Sequence, residues 1–356
     1  MSSLRTSKVL ALLGPVLAVA VVIAIMAVTA RTGYELTLIA TACVNMVVLA
    51  GLNIIAGYGG QLALGQAAFT GIGAYAVVIT VVDLGLPTYL ALILAPIISS
   101  IFALLIGLPS LRLKGLYFAV ATLAFGVILN QFLLQGGTLT GGPDGRGAGM
   151  KPLSLFGLEF DDPYREVLLS ASIALLALFA MHALMRTWFG WGLRAAKVSE
   201  PASSGIGTPV FRTRLSAFIL SGAFGGLGGA LLAFEQMYVS PTSFTFFASI
   251  DLFMVLFLGG LGTFVGPVIG AAILYVFSRW FSAFPDAQPF ILGLVFLTAL
   301  RFFPLGVGGY AANFVKRLNR NSRQERSHSV LGAGISEPES SESRVKEAVE
   351  PWQASK

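Results

Sequence analysis

A chain of 356 residues that is 56% hydrophobic and only 11% charged is too apolar for a water-soluble domain, which carries about 25% charged residues. The formal charge of +6 does not point to nucleic acid, because basic residues in so apolar a chain first report orientation across a membrane. A single cysteine, Cys43, excludes an intrachain disulfide framework and reads as a small apolar residue inside a hydrophobic run.

A bilayer core about 30 Å thick is crossed by about 20 apolar residues in a helix. Runs of that kind predict ten helices, near 9–30, 36–56, 66–83, 88–108, 115–135, 166–186, 214–237, 250–265, 267–284 and 287–304. The strict alternation over about 10 residues that marks a transmembrane β-strand is not found, so the expected fold is an all-α polytopic transmembrane bundle. The first run, Val9 to Ala30, follows Arg5 and Lys8 and exceeds the roughly 7 to 15 apolar residues of a secretory signal, which favours a retained first helix. Glycines interrupt the pattern at Gly57 to Gly65 and at Gly259 to Gly266, where re-entrant or broken helices are expected. The densest small-residue stretch, SGAFGGLGGALLAF from Ser221 to Phe234, predicts close helix packing, which in lipid depends on such residues.

Cytoplasmic loops retain Lys and Arg. The segment from Arg186 to Arg214 holds Arg186, Arg194, Lys197, Arg212 and Arg214 against one acid, Glu200, and is expected inside. Ten spans then place both termini and the turn with Arg112 and Lys114 inside, and the loop at 136–165 outside. Beyond about Asn313 the chain turns rich in Ser, Glu, Arg and Lys. This divides it into a membrane domain, 1–310, and a cytoplasmic tail, 311–356, expected to be disordered because it buries too little surface to offset ordering.

Two segments pair an apolar helix with a Gly-rich turn and a small-residue helix: GYGGQLALGQAAFTGIGAY (57–75) and GGLGTFVGPVIGAAIL (259–274). Their break glycines are Gly57, Gly59, Gly60 and Gly65, and Gly259, Gly260, Gly262 and Gly266. Backbone groups freed by such breaks must face protein or a water-filled cavity, so the pair points to a translocation path. Polar neutral residues near the first break, Asn53, Gln61, Gln66, Thr122, Asn130 and Gln131, are candidates to line it. Each also suits an interhelical hydrogen bond, worth about 0.6 kcal/mol in lipid. Glu235, Asp251, Arg279 and Arg301 fall near predicted helix ends, where snorkelling explains them. Glu235 and Asp251, near the outer face, are also candidates to meet a binding protein or a substrate ammonium.

Catalytic chemistry has little support. There is no GxxxxGK[ST] phosphate loop, no HExxH, no GxSxG and no Cys/His metal spacing, and His182 and His328 lie far apart, so no cofactor or metal is expected. With almost no ionisable residue at mid-helix, an autonomous ion-coupled transporter lacks its usual relay, and energy should come from elsewhere.

The segment FGWGLRAAKVSEPASSGIGTPVFRTRLSAF (189–218) suits a short helix at the membrane surface that offers small residues to a partner. Its Leu193, Arg194 and Ala195, then Glu200, Ala202 and Gly207, then Arg212 and Arg214, resemble the coupling loop of ATP-binding-cassette importer permeases. The form is that of the branched-chain amino-acid permease family, LivM type, related to LivH. Four blocks in order carry the resemblance: GLNIIAGYGGQLALGQAAFTGIGAY (51–75), LRLKGLYFAVATLAFG (111–126), LTGGPDG (139–145), and VSPTSF with SIDLFMVLFLGGLGTFVGPVIGAA (239–272). Departures are Ala63 for the family's Ser, Gln66 for its His, and Pro201, Ser203 and Ser204 in the coupling helix, which is therefore expected to start at or after Pro201. The resemblance implies a multi-pass bacterial inner-membrane permease paired with a second, LivH-like permease. Two cytoplasmic ATPase subunits would dock on the coupling loops, here 187–213, and an external solute-binding protein would deliver the substrate. That substrate would be a branched-chain or related amino acid, with urea or a short amide as the alternative.

Overall fold

The computed structural model describes residues 2–302 apart from Arg31, Ala148, Phe156, Gly157, Asp161, Ile206 and 282–286. The tail expected to be disordered, 311–356, and His328 lie outside the described residues.

Helix α1 (Ser2–Thr29) is followed by α2 (Gly33–Leu52), which Thr32 caps by accepting from the Glu35 N–H, and which closes in a π-helical turn, Asn53–Tyr58. After a non-helical stretch, α3 (Gln66–Val78) ends in a second π turn, Ile79–Asp83. Then come α4 (Thr88–Ser110), α5 (Leu116–Gln135) and α6 (Pro163–Leu184). Two short helices, α7 (Trp188–Val198) and α8 (Glu200–Gly205), precede α9 (Val210–Gln236). The remainder is α10 (Phe246–Gly259), α11 (Gly266–Trp280) and α12 (Ala287–Phe302). The ten expected helices are thus α1 to α6 and α9 to α12.

Six described helices are long and apolar enough to cross a membrane: Gly33–Tyr58, Gln66–Asp83, α4, α5, α6 and α9. Helices α10 and α11, expected at 250–265 and 267–284, are shorter, with 14 and 15 residues. At 1.5 Å per residue each spans only about 22 Å, less than the hydrocarbon core. They form an antiparallel hairpin in which Gly270 lies against the Val255 carbonyl and Gly259 against Gly266.

The centre of the bundle is α2, α3 and α9, whose residues are largely buried, while α4, α5 and α6 show apolar faces outward. Helix α4 explains how. Ala91, Ala95, Ser99, Ala103 and Gly107 recur every fourth residue and are buried, whereas Ile93, Ile97, Ile101 and Leu105 recur likewise and are exposed. Small residues meet α9 and large aliphatics meet lipid. On α9, a methyl at Gly226 would fall 2.5 Å from Ser99 Cβ and 2.8 Å from the Ala95 carbonyl, and one at Gly229 would collide with the Thr70 carbonyl of α3. This contact is closer than any side chain permits, and close van der Waals approach is what holds helices together in lipid.

The end of the bundle opposite α7 and α8 carries a cap built from 136–160. Gly141, Gly142 and Gly145, all at positive φ, turn the LTGGPDG segment so that Arg146 pairs through both backbone groups with Val239, each bond 2.8 Å. The Arg146 guanidinium reaches back to Asp83 in a two-pronged pair at 2.6 and 2.8 Å and donates to the Leu139 carbonyl. A two-stranded hairpin, β1 (Ser154–Leu155) and β2 (Leu158–Glu159), completes the cap. At the same end Arg279, expected to snorkel, pairs with Glu35 of α2 at 2.7 Å.

Candidate translocation and coupling site

Halfway along α2, a cavity of about 230 Å³ opens between α2, α3, α9, α10 and α11. Its walls are aliphatic at Val44, Val48, Leu232, Leu252 and Leu274, and polar at Asn45, Thr70, Ser243 and Asp251. It is smaller than a drug-sized pocket, about 300 to 1,000 Å³, and suits a single small molecule. Asp251 was expected near a helix end at the outer face, either snorkelling or meeting a binding protein or substrate ammonium. Instead α10 begins at Phe246, which carries Asp251 into the second turn, half-buried and turned to the cavity. Among the described residues, none hydrogen-bonds its carboxylate. A carboxylate at that depth without a protein partner is expensive, and such groups mark ion or substrate contacts.

The two glycine breaks, far apart in sequence, cross one another. Asn53, fully buried in the first π turn, accepts from the Gly262 N–H and donates to the Thr263 carbonyl, both at 2.8 Å. Gly57 lies directly on Gly262, where any side chain would strike backbone. Gly60, Gly260 and Gly262 sit at φ +67°, +108° and +74°, where a side chain is strained, so glycine is required to make the turns. The His182 ring of α6 packs edge-to-face against Phe264 of the second break, with centroids 4.8 Å apart.

Most of the other path candidates satisfy backbone at the breaks and helix ends. Gln66 donates to the carbonyls of Val48 and Ser221 and accepts from the Ser221 hydroxyl, tying α3 to α2 and α9. Thr122 accepts from the Leu64 N–H at 3.0 Å, fixing the stretch between Tyr58 and Gln66 to α5, and Gly65 packs against its backbone. Asn130 donates to the Pro241 carbonyl at 2.8 Å and to that of Phe244, holding the turn before α10. Gln131 is exposed on α5. None of these four lines the cavity. Glu235 of α9 accepts from Thr41 and lies in a separate small gap with Glu166 and Ser170; its second oxygen is buried without a hydrogen-bond partner. Asn45, which the cavity shares with Asp251, was missed by sequence reasoning. The available signal was an amide in the middle of the predominantly apolar run 36–56, eight residues before Asn53.

At the α7–α8 end, the basic segment grips the first break. Arg194 lies over the Tyr58 ring at 5.1 Å, and Lys197 donates to the Gly57 carbonyl at 2.7 Å. Burial pulls the Lys197 ammonium below the ordinary lysine pKa. Arg214 pairs with Glu200 and donates to the Ala196 carbonyl; with its amide turned to face the guanidinium, Gln61 accepts from Arg214 Nη2 and Nε at 3.2 Å. Helix α8 begins at Glu200 with Pro201 in its first turn, where a missing N–H leaves no bond unmade. Ala202 and Ser204 are exposed on it, Ser203 is buried, Gly207 turns the chain out at φ +83°, and Arg212 is exposed on the first turn of α9.

These features define a multi-pass helical membrane protein with two crossed, broken helices and a partly open cavity between α2, α3, α9, α10 and α11. Residues 36–300 match the family described as branched-chain amino acid transport system / permease component, and the chain belongs to that family. It is 33% identical over 280 residues to the "High-affinity branched-chain amino acid transport system permease protein LivM" of Salmonella typhimurium and 32% identical to the protein of that name from Escherichia coli. Each alignment covers 72% of this chain and 66% of the relative. It is also 31% identical over 159 residues, 42% of this chain and 50% of the relative, to the "Probable branched-chain amino acid transport permease protein LivH" of Methanocaldococcus jannaschii. No solved structure matches it.

Proposed function

We propose that this chain is the membrane-spanning permease subunit of an ATP-binding-cassette importer that carries branched-chain or related amino acids across the bacterial inner membrane. The observation that carries this reading is the mid-depth cavity. An aliphatic zwitterion suits it: the side chain meets Val48, Leu252 and Leu274, the ammonium meets Asp251, and Asn45 and Ser243 donate to the carboxylate. The relatives' names support the same substrate class.

In this reading both termini and the 187–213 segment face the cytoplasm, and the 136–165 cap faces out. The chain does no catalysis; two ATPase subunits dock on α8 and its counterpart in a second, LivH-like permease. The exposed small residues of α8 and the left-handed Gly207 after it support a docking surface there. An external binding protein delivers solute to the cap end.

The test is uptake by vesicles holding the chain with its partner permease, ATPases and binding protein. Losing one charge-assisted bond, about 1.5–3 kcal/mol, predicts that Asp251→Asn lowers leucine uptake at least tenfold at matched membrane levels, and Glu200→Lys and Gly207→Asp should uncouple ATP hydrolysis. Unchanged uptake by Asp251→Asn removes the substrate site. Competition by urea but not by leucine moves the substrate to short amides. Accumulation by the chain alone in liposomes replaces the ATPase-driven reading with an autonomous transporter.

A further inference from the structure

We propose that Lys197 is a positioning residue for transport: its ammonium, seated on the Gly57 carbonyl, fastens the coupling segment to the crossing of the two broken helices. This rests on the permease reading above and assigns it a mechanical link.

The argument starts from the end of α2. A helix leaves its last carbonyls without intrahelical donors, and the π turn Asn53–Tyr58 ends in a non-helical stretch that supplies few. Among the described backbone hydrogen bonds outside helices, the Gly59 and Gln61 N–H groups go to Ile54 and Ile55, and none goes to Gly57. Lys197 takes that place from another element, at 2.7 Å. A cation there also complements the negative end of the helix.

The contact is built along its length. Gly60 leaves room for the lysine stem, since a methyl on it would lie 2.7 Å from Lys197 Cγ, and Leu193, one turn earlier on α7 and fully buried, reaches Gly59. Arg194 covers Tyr58, and Arg214 faces Gln61 while pairing with Glu200 of α8. Residues 57 to 61 are therefore held by α7 and the start of α9, the elements that flank α8. The far side of the same residues is the crossing, where Gly57 bears on Gly262 and Asn53 bonds Gly262 and Thr263. The second break continues into α10, which carries Asp251 to the cavity. Displacement of α8 thus has a route to the cavity wall in which the Lys197 bond to the Gly57 carbonyl is one link, beside Arg194 on Tyr58 and Arg214 on Gln61.

A static helix cap has the same geometry, so the experiment reads coupling. In the reconstituted complex with its ATPases and binding protein, Lys197→Met keeps the stem and removes the donor. The expected result is normal assembly and thermal stability, ATP hydrolysis within twofold of the parent, and a tenfold fall in leucine imported per ATP hydrolysed. Lys197→Arg, which restores a donor, should recover at least half of that ratio. An unchanged ratio in Lys197→Met overturns the link, as does a loss of assembly or stability that arginine repairs with the ratio unaltered. If the parent complex neither hydrolyses ATP in response to binding protein nor imports leucine, the permease reading fails instead.

Discussion

The two ends of the bundle are fastened by arginines in opposite ways. At the cap, Arg146 is matched charge for charge with Asp83 and locked to Val239 through its own backbone, while the Tyr238 hydroxyl donates to the Asp144 carbonyl. At the α7–α8 end Arg214 is also ion-paired, with Glu200, but the first break itself is reached only by long side chains, Arg194, Lys197 and Arg214, on a ring, a neutral carbonyl and an amide. A backbone bridge moves only if both segments move together. Long flexible side chains can follow a partner that shifts. The cap is built to hold its place, and the clasp to transmit displacement without unfolding the bundle.

Three substitutions test this contrast. The largest effect is expected at the crossing itself: Asn53→Ala orphans the Gly262 N–H and the Thr263 carbonyl, at about 1–3 kcal/mol for each buried group. The melting temperature of the purified chain should drop by several degrees and uptake should be lost. Next, Gly57→Val drives a branched side chain into Gly262, an overpacking of about 1–3 kcal/mol. Its uptake at matched expression should fall further than its melting temperature implies, because the crossing is forced apart in place. Smallest is Arg146→Met at the cap. The pair with Asp83 is partly exposed, so about 0.2–1 kcal/mol is at stake, and the deficit should shrink in high salt. Should Arg146→Met prove as damaging to uptake as Gly57→Val with no loss of stability, the cap is a moving part and the contrast is wrong.

Much of this was legible in the chain. Hydropathy located ten of the helices, although α1 starts earlier and α10 ends earlier than expected, because long apolar runs have no soluble alternative. The glycine breaks were visible as interruptions of that pattern. The basic segment was visible as a break between apolar runs, and two short helices stand there where one was expected. The glycines of α9 were readable as a packing face, and they are one; the small-residue stripe of α4 that meets them emerged only with the structure.

The site was legible in pieces and illegible as a whole. Gln66 and Thr122 lie beside the first break and Asn130 at the turn before α10, and their amides and hydroxyl meet backbone groups, as polar groups inside a membrane must where helices end or break. Asp251 was noticed, but a shift of four residues in the start of α10 decided whether it faced headgroups or a cavity. Asn45 had no neighbour in sequence to single it out.

Composition and periodicity are properties of short windows, and they determined that this is a multi-pass helical membrane protein with two interrupted helices and a basic loop. That Gly57 meets Gly262, that Asn45 and Asp251 share one cavity, and that Lys197 reaches the end of α2 were decided by tertiary structure alone. The Asn53 to Gly262 bond joins residues 209 apart, and such a pairing is set by how close small residues let whole helices approach.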